Sequence, residues 1–476
     1  MSSTMPFRRT KIVCTLGPAT SDEGGIERLL AAGMDVVRLN FSHGHREEHR
    51  ATIRRVREVA ARLGREVGIL QDLGGPKIRL GRLAVEERLL EPGERLRLVT
   101  GEAAEGPDLP VNYEHLLEDV AHGDSILLAD GLVELEVLER SADALECVVV
   151  VGGPVSSRKG VNLPGSTLRV PAFTDKDRLD LAVGLEEGVD FVALSFVRHE
   201  RDLEPVHQCL AGSVQRPLVI AKIEKPQAVE RLKQILAAVD GVMVARGDLG
   251  VEMPVVEVPL IQKRVIREAR RAARPVITAT QMLRSMVSSP RPTRAEATDV
   301  ANAVLDGTDA VMLSEESAVG SYPVEAVEIL DRIARRVERE YDTRDLLLEP
   351  PSELLRDAEA TAISRSACLV ARDLDARLIV ATTVSGSTAR LLARLRPPVP
   401  VAALTPELAV RRQLTLSWGV LPATSPTFVD TDTLFDLVRS ACRQQGLARP
   451  GDRVVITAGL PLAVRGTTNL IRVIEV

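Results

Sequence analysis

The stretch Val219–Glu252, VIAKIEKPQAVERLKQILAAVDGVMVARGDLGVE, decides the fold. Leu218–Ala221 is a short apolar run rich in β-branched residues and predicts a buried strand, with Lys222, Glu224 and Lys225 at its end. Pro226–Val239 then repeats apolar residues at helical spacing (Val229, Leu232, Ile235, Leu236, Val239), with Pro at the helix start. Gly241–Ala245 predicts a second buried strand, ending in Arg246, Gly247 and Asp248. Two neighbouring strands therefore bring Lys222, Glu224 and Asp248 to one C-terminal edge. Carboxylates beside a lysine suit Mg²⁺, a hard cation that keeps waters and shares its shell with phosphate. A pair of salt bridges at a strand end is the plainer reading of the same residues. A Schiff-base lysine is a third, which the flanking carboxylates disfavour.

Outward from this stretch the strand–helix unit repeats. Strands are predicted at Lys11–Thr15, Asp35–Leu39, Val67–Leu70, Phe191–Leu194, Pro275–Thr278 and Asp309–Leu313, and helices at Gly25–Ala32, His45–Leu63, Asp175–Glu187, Arg201–Leu210, Arg294–Leu305 and Pro323–Glu340. Eight such units predict an α/β fold with a central TIM (β/α)8 barrel, whose site lies at the C-terminal strand ends. Arg38, Asn40, Asp72, Ser195, Lys222, Glu224, Asp248, Thr280 and Ser314 all fall at or just past that edge.

The barrel is predicted to occupy residues 1–73 and 171–342. Residues 74–170 break the pattern: Arg95–Thr100, Ile126–Leu128, Leu132–Leu138 and Ala144–Val151 alternate with period two between Gly and Pro punctuation. This predicts an inserted small β-barrel or sandwich, hung where a lid would sit. From 343 the composition shifts to a C-terminal open α/β unit. It has a helix over Ser352–Arg372, strands at Arg377–Ala381, Val399–Leu404 and Arg453–Thr457, and a helix at Asp432–Gln444. Between them Thr383-Val384-Ser385-Gly386-Ser387-Thr388 is a hydroxyl-rich turn opening a helix, either an anion site or an ordinary N-cap.

Composition narrows the class. A net charge of −6 and 2% aromatic residues argue against nucleic-acid binding. No apolar run is long enough for a membrane span, and the opening MSSTMPFRRTKIV lacks the apolar core of a secretory leader. Five scattered cysteines without a CxxC pair fit reduced thiols in a cytoplasm. Only eight of the 61 basic residues are lysines, so a retained lysine marks a place for a compact ammonium. His43, His45 and His49 have metal-like spacing but no supporting ligand cluster, and read as solvated histidines.

Several segments together resemble pyruvate kinase: TKIVCTLGPAT (Thr10–Thr20), VVRLNFSHG (Val36–Gly44), KGVNLPG (Lys159–Gly165), AKIEKPQAV (Ala221–Val229), DGVMVARGDLGVE (Asp240–Glu252), TATQML (Thr278–Leu283), PTRAEATDVANAVLDGTDAVMLS (Pro292–Ser314) and the GTTNLIRV ending (Gly466–Val473). The departures are Arg284, where the family commonly has Glu, and Glu315, where it has Gly.

The resemblance implies phosphoryl transfer from phosphoenolpyruvate to ADP, giving pyruvate and ATP. Catalysis would fall to Lys222, Thr280 and Arg38. Arg38, Lys222, Gly247, Asp248, Thr280, Ser195 and Ser314 would hold the substrate, and Thr15, Pro18, His43, Arg79 and Lys159 the nucleotide. Glu224 and Asp248 would hold Mg²⁺, or Mn²⁺ in its place. It also implies a homotetramer; the hydroxyl-rich turn itself predicts a phosphorylated effector at Thr383, Ser385, Gly386, Ser387 and Thr388. Many members need K⁺, and Asn40, Ser42 and Asp72 match three of its positions. Leu73 and Lys77 stand where Thr and Glu would be, so K⁺ is expected to be dispensable. Two rivals remain: a Mg²⁺-dependent barrel aldolase or lyase acting through an enolate, and a catalytically silent regulatory relative. The first would not need the lid lysine or a third domain.

Overall fold

The computed structural model describes residues 7–476 apart from 105, 167, 214, 342, 344, 356, 427–430 and 461–467. The opening residues Met1–Pro6, and Gly466 and Thr467 of the C-terminal motif, lie outside it.

Eight parallel strands close into a barrel: Lys11–Thr15, Val36–Asn40, Gly68–Asp72, Phe191–Leu194, Leu218–Ile223, Gly241–Ala245, Val276–Ala279 and Ala310–Leu313. Each pairs with its neighbour in chain order, and the eighth returns to the first through Lys11 opposite Ala310. The strands are near-continuous apolar runs because both faces are covered, as parallel sheets require. Val13, Leu70, Phe191, Ile220, Met243, Ile277 and Met312 fill the barrel interior. The alternate residues, such as Ile12, Val37, Ile69, Val192 and Val244, pack outward against the helices. Polar residues are thereby displaced to the strand ends, where the site is built.

The predicted helix over Pro226–Val239 is two, Pro226–Glu230 and Leu232–Ala238. Arg231 sits between them at φ −95°, ψ 21°, its guanidinium held by both carboxylate oxygens of Glu200 at 2.7 and 3.0 Å. Apolar periodicity runs through this break unchanged, so it left no trace in the pattern.

The inserted unit is a mostly antiparallel six-stranded sheet with its own core, joined by a two-stranded pair, Glu87–Leu90 with Gly153–Ser156. Its edge strands are Leu109–Val111 and Val161–Asn162. The segment following the third barrel strand bridges both edges, Leu80 with Val111 and Arg79 with Gly160, and so draws the sheet into a small barrel.

The C-terminal unit is a five-stranded sheet ordered Val420–Thr424, Val401–Thr405, Leu378–Thr382, Arg453–Gly459 and Thr468–Glu475, the last antiparallel. Its first helix spans Ala358–Asp373, starting later than the composition predicted because the Asp357 side chain caps it at the Ala360 N–H. This unit seals the foot of the barrel. Leu416 enters the barrel's interior core, and Lys11 donates to the Val420 carbonyl. Arg396 pairs with both oxygens of Asp309 at 3.0 and 3.1 Å while lying 5.0 Å over the Trp418 ring. Among the described residues no helix is long and apolar enough to cross a membrane.

Candidate active site

The fifth strand delivers Lys222 to the rim, where its ammonium donates to Ser195 Oγ at 2.8 Å. It also lies 3.3 Å from Glu224 Oε2 and 3.8 Å from Asp72 Oδ1. Ser195 passes its own proton to the Leu73 carbonyl at 3.0 Å, so the lysine is aimed by a fixed acceptor. Burial acts to lower the Lys222 pKa, but Asp72, Glu224 and Asp248 together raise it, and it stays an ammonium.

Asp72, at the end of the third strand, is 1% exposed and would be costly there without cations. Arg38 supplies one: its Nε and Nη2 both sit 2.7 Å from Asp72 Oδ2. Burial pushes the Asp72 carboxyl up, and Lys222, Arg38 and Lys77 more than reverse it, so it remains charged. Arg38 also donates to Thr15 Oγ1 at 3.1 Å, and Thr15 to the Leu313 carbonyl at 2.8 Å, which links the first, second and eighth strands.

Glu224, like Asp72 at its Oδ1, carries an unsatisfied buried oxygen. Its Oε1 accepts from the Phe196 N–H at 2.5 Å, and its Oε2 is buried with no hydrogen-bond donor. Its carboxyl is raised to about 7, burial and the Asp248 charge pushing it up against the pull of Lys222. Two carboxylates in mutual repulsion, one with an orphaned oxygen, are the arrangement a hard divalent cation relieves. Glu224 and Asp248 therefore fit a Mg²⁺ ion. Among the described residues no three His, Cys, Asp or Glu side chains gather around one point, so such an ion has to complete its shell with substrate oxygens and water.

Asp248 lies in the first turn of the helix Arg246–Glu252, directly after the sixth strand. Its neighbour Gly247 donates its N–H to Thr280 Oγ1 at 2.8 Å, which itself donates to the Ala279 carbonyl at 2.6 Å. Thr280 and Gln281 stand at φ +70° and +54°, a left-handed pair that costs a non-glycine residue energy and needs outside support. Arg246 gives that support. Its guanidinium donates to the Ala279 and Thr280 carbonyls at 3.2 and 2.8 Å and is anchored on Asp299 at 2.7 Å. Sequence spacing placed Arg246 on the rim but not its reach across to the seventh strand. Ser314, past the eighth strand, is fixed by its N–H to Glu316 Oε2 at 2.8 Å, while Glu316 Oε1 accepts from the Leu283 N–H. Glu316 was not singled out by any pattern. Arg284 and Glu315, the two departures noted above, form an ion pair with each other.

Asn40, opposite Asp72 on the neighbouring strand, accepts at its Oδ1 from the Ser42 N–H at 3.1 Å. Leu73 is buried in the core, and its carbonyl is already taken by Ser195. A carbonyl is present there whatever the side chain, so the Leu73 substitution removes no ligand and the difference falls on Lys77. Loss of water in the cleft, then the charges of Arg79 and Lys222, bring the Lys77 ammonium down to about 8, with Asp72 and Asp248 pulling upward. Desolvation and the same basic group (Lys77, Arg79, Arg38) lower His43. His45 instead begins the helix Arg46–Arg62, and His49 stacks on Phe41 at 4.0 Å. His49 is thus half-buried, with one ring face packed and not fully solvated.

On the lid, Arg79 donates to the Arg158 carbonyl at 3.0 Å and pairs with Gly160, so it lies beside Lys159. Lys159 is exposed, as is Pro18 on the first barrel loop. Asn162 reaches Glu252 Oε1 at 3.1 Å, which also accepts from Lys225 at 2.7 Å. The strand after Lys159 is thereby tied to the helix bearing Asp248.

The Thr383–Thr388 turn belongs to the C-terminal unit. Gly386 takes φ +79° and donates to Thr383 Oγ1, and Ser385 and Ser387 share a hydrogen bond of 3.0 Å. Thr388 is buried against Thr468 at 2.7 Å, and so is not brought together with the other hydroxyls.

A (β/α)8 barrel with a basic and acidic rim, a lid beside it and a C-terminal α/β unit defines a barrel enzyme that handles polyanions. Residues 7–327 match the family model "Pyruvate kinase, barrel domain" and residues 361–474 match "Pyruvate kinase, alpha/beta domain". Curated proteins named pyruvate kinase are similar along the chain: 48% identical for Corynebacterium glutamicum (98% of this chain, 97% of the relative) and 47% for Agrobacterium vitis (98% of each). The crystal structure of a pyruvate kinase from Cryptosporidium parvum superposes with TM-score 0.92 at 36% identity, covering 98% of this chain and 96% of that one. The chain belongs to the pyruvate kinase family and is a phosphotransferase.

Proposed function

We propose that this chain transfers the phosphoryl group of phosphoenolpyruvate to ADP, with Lys222 at the transferring group, and that it does so without K⁺. The observation that carries the reading is the position of Lys222, an ammonium held by Ser195 between the Asp72 and Glu224 carboxylates. Phosphoryl transfer spreads charge over the equatorial oxygens of a loose transition state, and fixed cations aimed there are what lowers the barrier. Arg38 is the second such cation, braced by Asp72. Glu224 and Asp248 would hold a divalent ion, Mg²⁺ or Mn²⁺, which would supply neutralisation of the substrate's negative charge.

The Gly247 and Asp248 N–H groups and the Thr280 hydroxyl receive the substrate carboxylate, and Ser195 and Ser314 border it. The nucleotide phosphates lie against Arg79 and Lys159, with Thr15, Pro18 and His43 along the nucleotide. Thr280, with Ser314 on the same rim, lines the route by which a proton from water reaches the enolate carbon. Lys77 takes the part of the monovalent cation beside Asn40, Ser42 and Asp72. The family resemblance supports a cytoplasmic glycolytic enzyme and a homotetramer, and the hydroxyl-rich Thr383–Thr388 turn at a helix start supports a phosphorylated effector there. ATP formation from phosphoenolpyruvate and ADP, followed through a coupled enzyme with and without Mg²⁺, tests the reaction. Aldol or lyase chemistry with no ATP formed would replace it.

A further inference from the structure

At the foot of the barrel, opposite the rim of Lys222, a narrow cleft separates the starts of the seventh and eighth strands from the C-terminal unit. Arg270, Arg274, Arg390, Arg394 and Arg396 all line it, with Asp309 and Ser417. Two of these arginines are matched: Arg396 by Asp309, and Arg270 by Glu349 at 2.6 Å. Among the described residues, Arg274, Arg390 and Arg394 have no carboxylate within ion-pair distance. Arg394 and Arg396 are 4% and 1% exposed. Arg390 Nη1, Arg394 Nε, Arg396 Nε and Ser417 Oγ are buried and hydrogen-bond to nothing. All four can donate. Buried donors without acceptors are expensive, and here they share one cleft.

We propose that this cleft binds a chloride-sized inorganic anion, which accepts from these donors and joins the C-terminal unit to the barrel. Size selects the occupant. The space open to the centre of a water-sized sphere is about 10 Å³, room for a single small particle. A phosphate or sulfate would need the guanidinium groups driven apart. Charge separates the anion from a water: five arginines and a single aspartate line the cleft, and a neutral water leaves that excess of positive charge unmatched. In keeping with this, burial lowers both Arg390 and Arg394 to about 10, and the charges of Asp240 on Arg390 and Glu349 on Arg394 offset it only in part.

The test uses the full-length protein. Crystals soaked in sodium bromide and measured at the bromine edge should show an anomalous peak among Arg390, Arg394, Arg396 and Ser417. In solution, Tm should rise saturably with chloride but not with gluconate at equal ionic strength. Arg394→Met should weaken the chloride midpoint at least tenfold. Should that variant fail to fold, Ser417→Ala, which deletes one donor and leaves every charge, should weaken it severalfold. Absence of the bromide peak, a tetrahedral anion bound there in its place, a bromide peak without a chloride-dependent Tm, or equal chloride dependence in wild type and variants would each overturn the proposal.

Discussion

Lys222 earns its role through its neighbours rather than its identity. Ser195 orients it, and three carboxylates keep it charged despite burial. Removing a cation at the transferring phosphoryl is worth about 10³–10⁵ in rate. Lys222→Met should therefore lose kcat on that scale while phosphoenolpyruvate still binds, read by steady-state kinetics and by direct titration. A kcat within tenfold of wild type would remove Lys222 from the transition state. Arg246 makes a different prediction, because it touches the Ala279 and Thr280 carbonyls and not the reacting groups. Arg246→Lys keeps the charge and loses the fork that spans both carbonyls. Misplacing Thr280 by an ångström is expected to cost about 10²-fold in kcat, with the KM for ADP nearly unchanged. If kcat holds and only Tm falls, Arg246 is structural alone. Lys222, Glu224 and Asp248 were legible because strand ends and helix starts fix where a side chain begins. Arg246 and Glu316 were not, since their function lies in where a long side chain finishes. The Arg284–Glu315 pair shows the same limit: each departs from the family singly, and only the fold reveals that they answer each other.

Among the elements, the barrel strands were the most legible, being short β-branched runs closed by Gly or polar residues. The lid was legible as alternating strands, but Leu109–Val111 and Val161–Asn162 are three and two residues long, too short to carry a period. The Leu408–Leu414 helix and the Val420–Thr424 strand went unread for a related reason: each is brief, and its apolar face is made by neighbours distant in sequence. The lid strand that follows Lys159 is the one tied to the barrel rim, since Asn162 and Lys225 both donate to Glu252. A hydrogen bond to a charged group contributes about 1.5–3 kcal/mol. Asn162→Ala should accordingly raise the KM for ADP roughly tenfold and leave that for phosphoenolpyruvate within twofold. Equal shifts for both substrates would place the contact outside lid positioning.

For the molecule as a whole, the C-terminal unit is clasped to the barrel by Arg396 on Asp309, an ion pair buried under Trp418. Arg396→Leu leaves the Asp309 carboxylate buried and unpaired, at a cost of about 3–5 kcal/mol. Thermal unfolding should show a large drop in Tm, and an unchanged Tm would mean the clasp is energetically idle. At the opposite end, Arg38, Lys77, Arg79, Lys159 and Lys222 are the cations that the proposed function uses to bring two polyanions together. Lys77 is the member that sets this account apart. Its ammonium is present below about pH 8 and is lost as pH rises through that value. Any stimulation by K⁺ should thus be absent at pH 7 and emerge above pH ~8. The most direct measurement is ATP formation from phosphoenolpyruvate, ADP and Mg²⁺ at pH 7, in tetramethylammonium against K⁺ at equal ionic strength. Wild type should run at the same rate in both, and Lys77→Glu should be crippled until K⁺ is restored. A wild-type rate that falls tenfold or more when K⁺ is withdrawn would contradict the account.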